Sequence, residues 1–477
     1  MKNNYIKLFA LVVLSAGLGA CKKELNVFPT TTEVDGNVIT DQNSARVVLN
    51  GVYYRFADAG FDRNKVPSIK WTDLNEDFAS ELSGGLVNSG GDDQVYTFEF
   101  TATNNTYQAD GIWNYGYGIV NAANGFIKNV VPASGVPAAA KTEMLAEAKF
   151  LRAYANSELL LYYGQYNDPS SNYGIILRNE FLTADNINLP RSTVAATYTS
   201  ILSDLDTAIA GMPAQNTAIY YANTSDAKLL KARVLMNRGA AGDYAQVITL
   251  TNDIITNGPF KLDDSLKNVF LTEGFSSPEV MLAVQPYPNE TYKFLYNQLY
   301  NQYIVSDSLV SLLKNDGRNQ WMYKSANTPY NGLVNELTKY YSGDPVNIVQ
   351  TPLSEDCYAF RLSEAYLLEA EAITLSGGSL STAKTLLEAV MTRAGAGPQE
   401  LAAVAAANTP AALQLQVVEE DLRNFAFENG VDWFALRRLP FLLVQKLNPN
   451  IKLASQLILP IPYSEISHNP VIQNPGY

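Results

Sequence analysis

The chain has 477 residues, is 47% hydrophobic and carries a formal net charge of −13, with one histidine and two cysteines. That length and composition support a large buried core, while the acidic balance, with no basic run beyond the first residues, excludes a nucleic-acid-binding surface, which needs clustered Lys and Arg. With His468 alone there is no HExxH, no multi-histidine metal site and little scope for a histidine triad, and neither a Walker-type phosphate loop nor a GxSxG elbow occurs.

Residues 1–20 read as a secretory signal: Lys2 and Lys7 precede an apolar core from Leu8 to Leu18, and Gly19 and Ala20 lead to Cys21. The stretch is too short to span a bilayer as a mature helix. The ending LGAC resembles the bacterial lipobox, which makes Cys21 the expected lipidation site; the alternative is an ordinary signal with a chance cysteine. Residues 21–44 then read as a lipidated N-terminus and tether, and 45–477 as the folded body. Cys357, the other cysteine, reads as a packing residue, so no intrachain disulfide is expected if Cys21 carries lipid.

Within the body, segment 143–163 places Met144, Ala148, Leu151, Ala155, Leu159 and Tyr162 on one helical face. Segment 198–212 does the same, with Ser192 or Thr193 available to cap its entrance and Pro213 to stop it. Segments 226–258 and 363–395 look alike: a helix with small residues such as Ala232 or Ala370, a Gly-containing turn and a second helix, each near the length of a tetratricopeptide repeat. The expected fold class is therefore mainly α, a helical scaffold with tetratricopeptide-type hairpins at about 143–258 and 363–395. Two Tyr-, Asn-, Pro- and Gly-rich stretches, about 71–118 and 259–358, read as loop-rich binding subregions with a few short strands, including the alternating QVYTFEF at 94–100.

Several stretches together resemble the SusD/RagB family of outer-membrane nutrient-binding lipoproteins of Bacteroidetes. They are AEAKFLRAYA (146–155), PRSTVAATYTSILSDLDTAI (190–209), FRLSEAYLLEAEA (360–372) with TRAG (392–395), and LPIPYSEISHNPVIQNPGY (459–477). In EEDLRNFAFENGVDWFALRR (419–438), Asp432 stands where the family commonly has arginine and Ala435 where aspartate is common. An ion pair of relatives is then expected to be absent or replaced, for example by Arg437 with Glu428. The resemblance implies a helical fold, glycan capture at the cell surface of the outer membrane, and a SusC-like TonB-dependent transporter as partner; it implies no cofactor and no enzyme activity. Peptides are the alternative ligand.

Sugar recognition needs an aromatic plate beside amide or charged side chains. Trp321 with Tyr323, next to Arg318 and Asn319, is the first candidate; Trp71 with Asp73 and Asn75 the second; Tyr292 and Tyr296, four apart, the third. Asp92 and Asp93 are weak candidates for calcium. Arg152, Arg361 and Glu371 read as helix-joining charges, Trp113 and Trp433 as core, and His468 as a local hydrogen-bonding residue. A surface glycoside hydrolase is the remote alternative, since the adjacent acidic residues 92–93 and 419–421 point apart and make no dyad alone. A ligand-free tetratricopeptide scaffold is the other.

Overall fold

The structure is a computed structural model that describes residues 38–57, 75–89, 94–101, 107–286, 291, 293–295, 300, 302–341 and 350–477. In chain order the helices are α1 (Gln42–Ala57), α2 (Phe78–Ser83), α3 (Gln94–Thr97), α4 (Tyr107–Val130), α5 (Ala138–Tyr163), α6 (Val194–Gly211), α7 (Thr224–Arg238), α8 (Asp243–Asn257) and α9 (Leu266–Asn268). After them come α10 (Asp307–Leu312), α11 (Leu362–Leu375), α12 (Leu380–Ala394), α13 (Pro398–Ala406), α14 (Pro410–Asn424), α15 (Val431–Leu436), α16 (Phe441–Leu447) and α17 (Tyr463–His468). Helix accounts for 57% of the structure, so the mainly-α expectation holds.

Helix α5 is the axis of the scaffold. Its expected apolar stripe is buried, but so is nearly every residue from Ala146 to Tyr163, including Glu147, Arg152, Asn156 and Glu158. A helix covered on all sides must find partners for its charges. Glu147 accepts from Arg46 of α1 at 2.8 Å and from the Tyr53 hydroxyl at 2.7 Å. Arg152 forks onto Asp204 of α6 at 2.7 and 2.8 Å and reaches Asn124 of α4 at 2.7 Å. These bonds fix the register of the helices around α5.

From α4 onward each helix packs on the next, α4 on α5, α5 on α6, α6 on α7 and α7 on α8, and the stack continues from α8 onto α11 and from α11 onto α12 and α14. The two segments of similar sequence both form helical hairpins, α7–α8 and α11–α12. Local chemistry sets their ends. Thr193 caps α6 by accepting from the Ala196 amide, Asn223 and Asp226 form a capping box at α7, and Ser379 caps α12. Gly239 and Gly395 end α7 and α12 at φ of 59° and 98°, the left-handed region that glycine enters at least cost.

Two small antiparallel sheets interrupt the helices. Strands β1 (Leu86–Asn88), β3 (Tyr303–Val305), β5 (Gly332–Leu337) and β4 (Tyr323–Thr328) lie in that order, and β2 (Val280–Val284) pairs with β6 (Cys357–Arg361). Residues 94–100 do not form the strand their alternation predicts. Gln94–Thr97 is a helical turn, and Phe98, at φ 58°, drives its ring toward Trp433, 6.0 Å between centroids. Burial of Val95, Phe98 and Phe100 against the helices outweighs the local β pattern and the strain of a left-handed Phe.

A second, buried ionic layer joins sheets to helices. Arg361, fully buried, donates to Glu279 at 2.5 Å and to both oxygens of Glu428 at 2.7 and 2.8 Å. Lys339 donates to the same Glu428 at 2.6 Å, and Arg393 to Glu279 at 2.7 Å. The expected Arg437–Glu428 pair does not form. Arg437 instead donates to the Leu161 and Leu457 carbonyls and lies over the Trp433 ring, because Glu428 is already taken by Arg361 and Lys339. Asp432 answers a different need: it accepts from the Ser80 and Ser83 hydroxyls of α2 at 2.6 and 2.9 Å. Trp113, Trp433 and Cys357 are core residues, and His468 bonds locally to the Ser464 carbonyl.

Two outcomes follow from this layer. Arg361→Ala leaves Glu279 and Glu428 short of a partner and lowers the unfolding free energy by about 3–5 kcal/mol, measured by urea denaturation. Burial is the main cause that raises the Asp432 carboxyl from 3.8 to about 6, against the opposing bonds from Ser80 and Ser83. A carboxyl that holds its proton more tightly when folded stabilises most at low pH, and this contribution fades as pH rises through about 6. Asp432→Asn therefore flattens that part of the melting-temperature profile between pH 4 and 7, relative to the parent protein.

Candidate functional site

The feature that stands out from the helical body is the β4–β5 hairpin. Its register pairs Tyr323 with Leu337, Ser325 with Asn335, Asn327 with Leu333 and Thr328 with Gly332. The period of two places Tyr323, Ser325, Asn327, Leu333 and Asn335 on one face and Ala326, Thr328 and Glu336 on the buried one. This face is open to solvent at Ser325, Asn327 and Leu333 and closes toward the base, where Tyr323 is half-buried opposite the buried Leu337; Ser325 and Asn335 are hydrogen-bonded across it at 2.6 Å. Among the described strands β4 lies at the edge of this sheet.

At the hairpin tip two tyrosines form an exposed pair. Tyr330, 65% exposed, meets Tyr300, 38% exposed, edge to face with 6.0 Å between centroids. Two anchors hold the segment that precedes Tyr300. The Tyr300 amide donates to the Leu295 carbonyl, and the Glu355 carboxylate accepts the Lys293 and Phe294 amides at 2.9 and 2.8 Å. The Lys293 ammonium is fully buried, 3.0 Å from Glu76 and 3.5 Å above the centre of the Tyr340 ring. Burial pushes Glu76 and Asp356 up to about 7 each, partly offset by Lys293.

At the other end, about 20 Å away for six extended residues, a cleft of about 310 Å³ opens beside the hairpin base. Its walls include Phe270, Thr272, Tyr340, Tyr341, Thr351 and Leu353. Phe270 and Thr272 sit on a π-helical turn, Val269–Glu273, a backbone form that recurs at functional sites. Gly274, at φ 56°, closes the turn, and a Cβ there would fall 2.4 Å from Leu353 and from Asp356, so only glycine allows this wall to form.

The structure separates the sequence candidates. Trp321 is 8% exposed and stacks on Phe270 at 6.3 Å, which makes it a core residue and not an exposed plate. Arg318 is fully buried and forks onto Asp316 and Glu420; the ion pair consumes the donors a ligand would need, and it holds Glu420 down at about 2 against burial. Asn319 donates to the Lys314 carbonyl, and Asn75 is buried at 4% exposure. Tyr323, of the first group, is half-buried at the hairpin base and packs against the core. Trp71, Asp73, Tyr292, Tyr296, Cys21, Asp92 and Asp93 lie outside the described residues. Sequence reasoning missed Tyr300, Tyr330, Asn327 and Asn335. The signal was present: the turn-forming PYNG at 329–332 between two short runs marks a hairpin whose tip carries a tyrosine. Among the described residues, no group of three His, Cys, Asp or Glu is placed to hold a metal ion, and no helix is long and apolar enough to cross a membrane.

Comparison with known proteins places this architecture. A family model described as starch-binding and associating with the outer membrane matches residues 48–235, and the model of the SusD family matches 294–454. The chain belongs to the SusD/RagB family. A SusD-like protein of Bacteroides ovatus is 23% identical over 363 residues, covering 74% of this chain; the chain spans about 60% of that relative's length. A SusD superfamily structure from Bacteroides thetaiotaomicron superposes with a TM-score of 0.73 at 20% identity, covering 91% of this chain and 100% of the other. A laminarin-binding SusD-like protein superposes with a TM-score of 0.68 at 20% identity over 92% of this chain and 100% of its own. At such identities these structures establish the SusD fold, in which the β4–β5 hairpin and its cleft are set here.

If Trp321 is core and Tyr330 is surface, their substitutions part ways. Trp321→Ala costs about 3–5 kcal/mol of stability, whereas Tyr330→Ala leaves the melting temperature within about a degree, both read by thermal denaturation.

Proposed function

We propose that this chain captures glycans at the cell surface and passes them to a transporter, without chemistry of its own. The observation that carries the reading is the exposed Tyr300–Tyr330 pair beside a strip of Ser325, Asn327 and Asn335. A sugar ring offers C–H groups on one face and hydroxyls around its rim; a tyrosine face takes the first, amides and hydroxyls the second. The residues described around the cleft are aromatic, aliphatic and hydroxyl-bearing, and none is a carboxylate, which favours binding over hydrolysis. Membership of the SusD family and the fold shared with a laminarin-binding relative support the same reading. In this proposal Cys21 carries the lipid that holds the protein on the outer membrane, facing outward, and a SusC-like TonB-dependent transporter receives the ligand.

One feature bears on a peptide instead: among the described strands β4 lies at the edge of its sheet, the position from which a strand pairs with an extended backbone. Affinity electrophoresis through gels containing a panel of neutral polysaccharides separates the two. On the glycan reading one polysaccharide retards the protein, and Tyr330→Ala or Tyr300→Ala reduces the retardation by roughly tenfold, as expected for losing an aromatic contact of about 1–3 kcal/mol. Migration unaffected by every polysaccharide, with retention by an immobilised peptide pool, would replace it with the peptide reading.

A further inference from the structure

The loop that joins α6 to α7 is tied down more firmly than a connection between two helices requires. The Asn216 amide group donates to the Ala222 carbonyl at 3.0 Å, and the Ala222 backbone amide donates to the Tyr53 hydroxyl of α1 at 3.1 Å. The Ile219 carbonyl accepts from the Ala283 amide of β2 at 3.0 Å. The Tyr221 hydroxyl donates to Asn50 of α1 at 3.2 Å, and its ring stands edge to face with Tyr53, 5.0 Å between centroids. A loop fixed in this way on a rigid scaffold is where binding residues usually lie.

A cavity of about 280 Å³ opens beside this loop, and every residue that lines it falls within the described stretch 107–286. Ile219, Tyr221 and Phe260, each half-buried, form apolar walls, and the exposed Gln215 and Thr217 stand at the rim. Among the described residues the Gln215 side chain makes no hydrogen bond, and the Thr217 hydroxyl makes one long one, 3.5 Å to Asn216. Both therefore keep donors and acceptors for a ligand.

Charge narrows the class of ligand. None of the lining residues is ionisable to a carboxylate, ammonium or guanidinium. Arg46, 5.9 Å from the centre of the Tyr221 ring, already pairs with Glu143 and Glu147. A charged ligand would shed water here without gaining a partner. An extended peptide would need free backbone, yet the Ile219 carbonyl and the Ala222 amide and carbonyl are spent on α1, β2 and the loop itself. An aromatic wall beside an amide and a hydroxyl is the pattern that suits a neutral sugar ring.

We propose that this cavity is a second contact for the captured glycan and takes one uncharged sugar residue, so the inference holds only if the chain captures glycans. The C–H face of the ring packs on Phe260, and hydroxyls at its edge bond to Gln215 and Thr217. The volume, at the small end of ligand sites, suits a single residue of a longer chain. Because the loop is ordered beforehand, little freedom is lost on binding.

The test is affinity electrophoresis of the purified protein through a panel of neutral polysaccharides, with melting temperatures measured in parallel. On the polysaccharide that retards the parent protein, Phe260→Leu is expected to weaken binding by roughly three- to tenfold, the range of one aromatic contact. Phe260→Tyr keeps the ring and is expected to bind as the parent does. Gln215→Ala, at an exposed position, is expected to weaken binding by roughly two- to tenfold with the melting temperature unchanged. Phe260→Leu added to Tyr330→Ala is expected to weaken binding more than either alone. Retardation lost with Tyr330→Ala but unchanged by Phe260→Leu and Gln215→Ala overturns the proposal and leaves glycan capture standing. Weakening by Phe260→Leu and Phe260→Tyr alike, with a lowered melting temperature in both, marks Phe260 as structural and also overturns it. Migration of the parent protein unaffected by every polysaccharide removes both this contact and glycan capture.

Discussion

The rest of the structure depends on a single buried guanidinium, that of Arg361. This residue ends β6 and begins α11, so its backbone already couples a sheet to the scaffold. Its side chain then reaches Glu279, at the entrance to β2, and Glu428, between α14 and α15. Glu428 is shared with Lys339, which follows β5 and directly precedes the cleft residues Tyr340 and Tyr341. Desolvating this many charges is expensive, and hydrophobic replacements of equal shape are often no less stable. What the network provides is directional: each partner has one position that satisfies the geometry. Burial still pushes Lys339 down to about 8, which shows how little solvent is left to do the same work. The hairpin base is thus fixed to the helices by ionic bonds with defined angles, and its tip is left to face solvent.

That division explains the choice of side chains along the hairpin. Trp321 and Met322, at the base, are buried in a hydrophobic cluster with Phe270, Tyr340 and Phe427, whereas Tyr330, at the tip, tolerates exposure because its hydroxyl stays hydrated. Lys293 plays a matching part on the neighbouring segment. Its ammonium is held by Glu76, the Asp356 carbonyl and the Tyr340 ring, and Glu355 anchors the amides of the same turn that leads toward Tyr300. Two exposed aromatic residues are therefore presented from anchored supports, which limits the ordering cost that a ligand must meet on binding.

Much of the scaffold was legible in the sequence because its signals are local. The stripe through 144–162, Thr193 as a cap, Pro213 as a stop and the two similar hairpin segments each act within a few turns. What was illegible is non-local. Arg318 and Trp321 sit in a loop-like, polar stretch, yet Asp316 and Glu420 bury the first and Phe270 the second, and no spacing rule places residue 420 beside 318. The strand expected at 94–100 failed for the same reason: Phe98 answers to Trp433, far along the chain. Asp432 shows the reverse case. A charge that looks misplaced against the family pattern is accommodated by Ser80 and Ser83, two small hydroxyls whose role only the fold displays.

The site's energetics fit the proposed role better than a tight-binding one would. Hydroxyl and amide groups on the hairpin face already have partners before a ligand arrives, water or, for Ser325 and Asn335, each other, so each bond formed there exchanges one partner for another and contributes little net affinity. The gain must come from the tyrosine faces and the apolar cleft, which are few and partly buried already. A single sugar unit is then held weakly, while a chain long enough to touch both the tip and the base, about 20 Å apart, engages two contacts at once and is held far more strongly by effective concentration. Such a surface captures polymers in preference to their fragments and releases the ends readily. For a protein proposed to hand its ligand to a transporter, weak individual contacts are the requirement, since a ligand bound tightly at any one point would not leave.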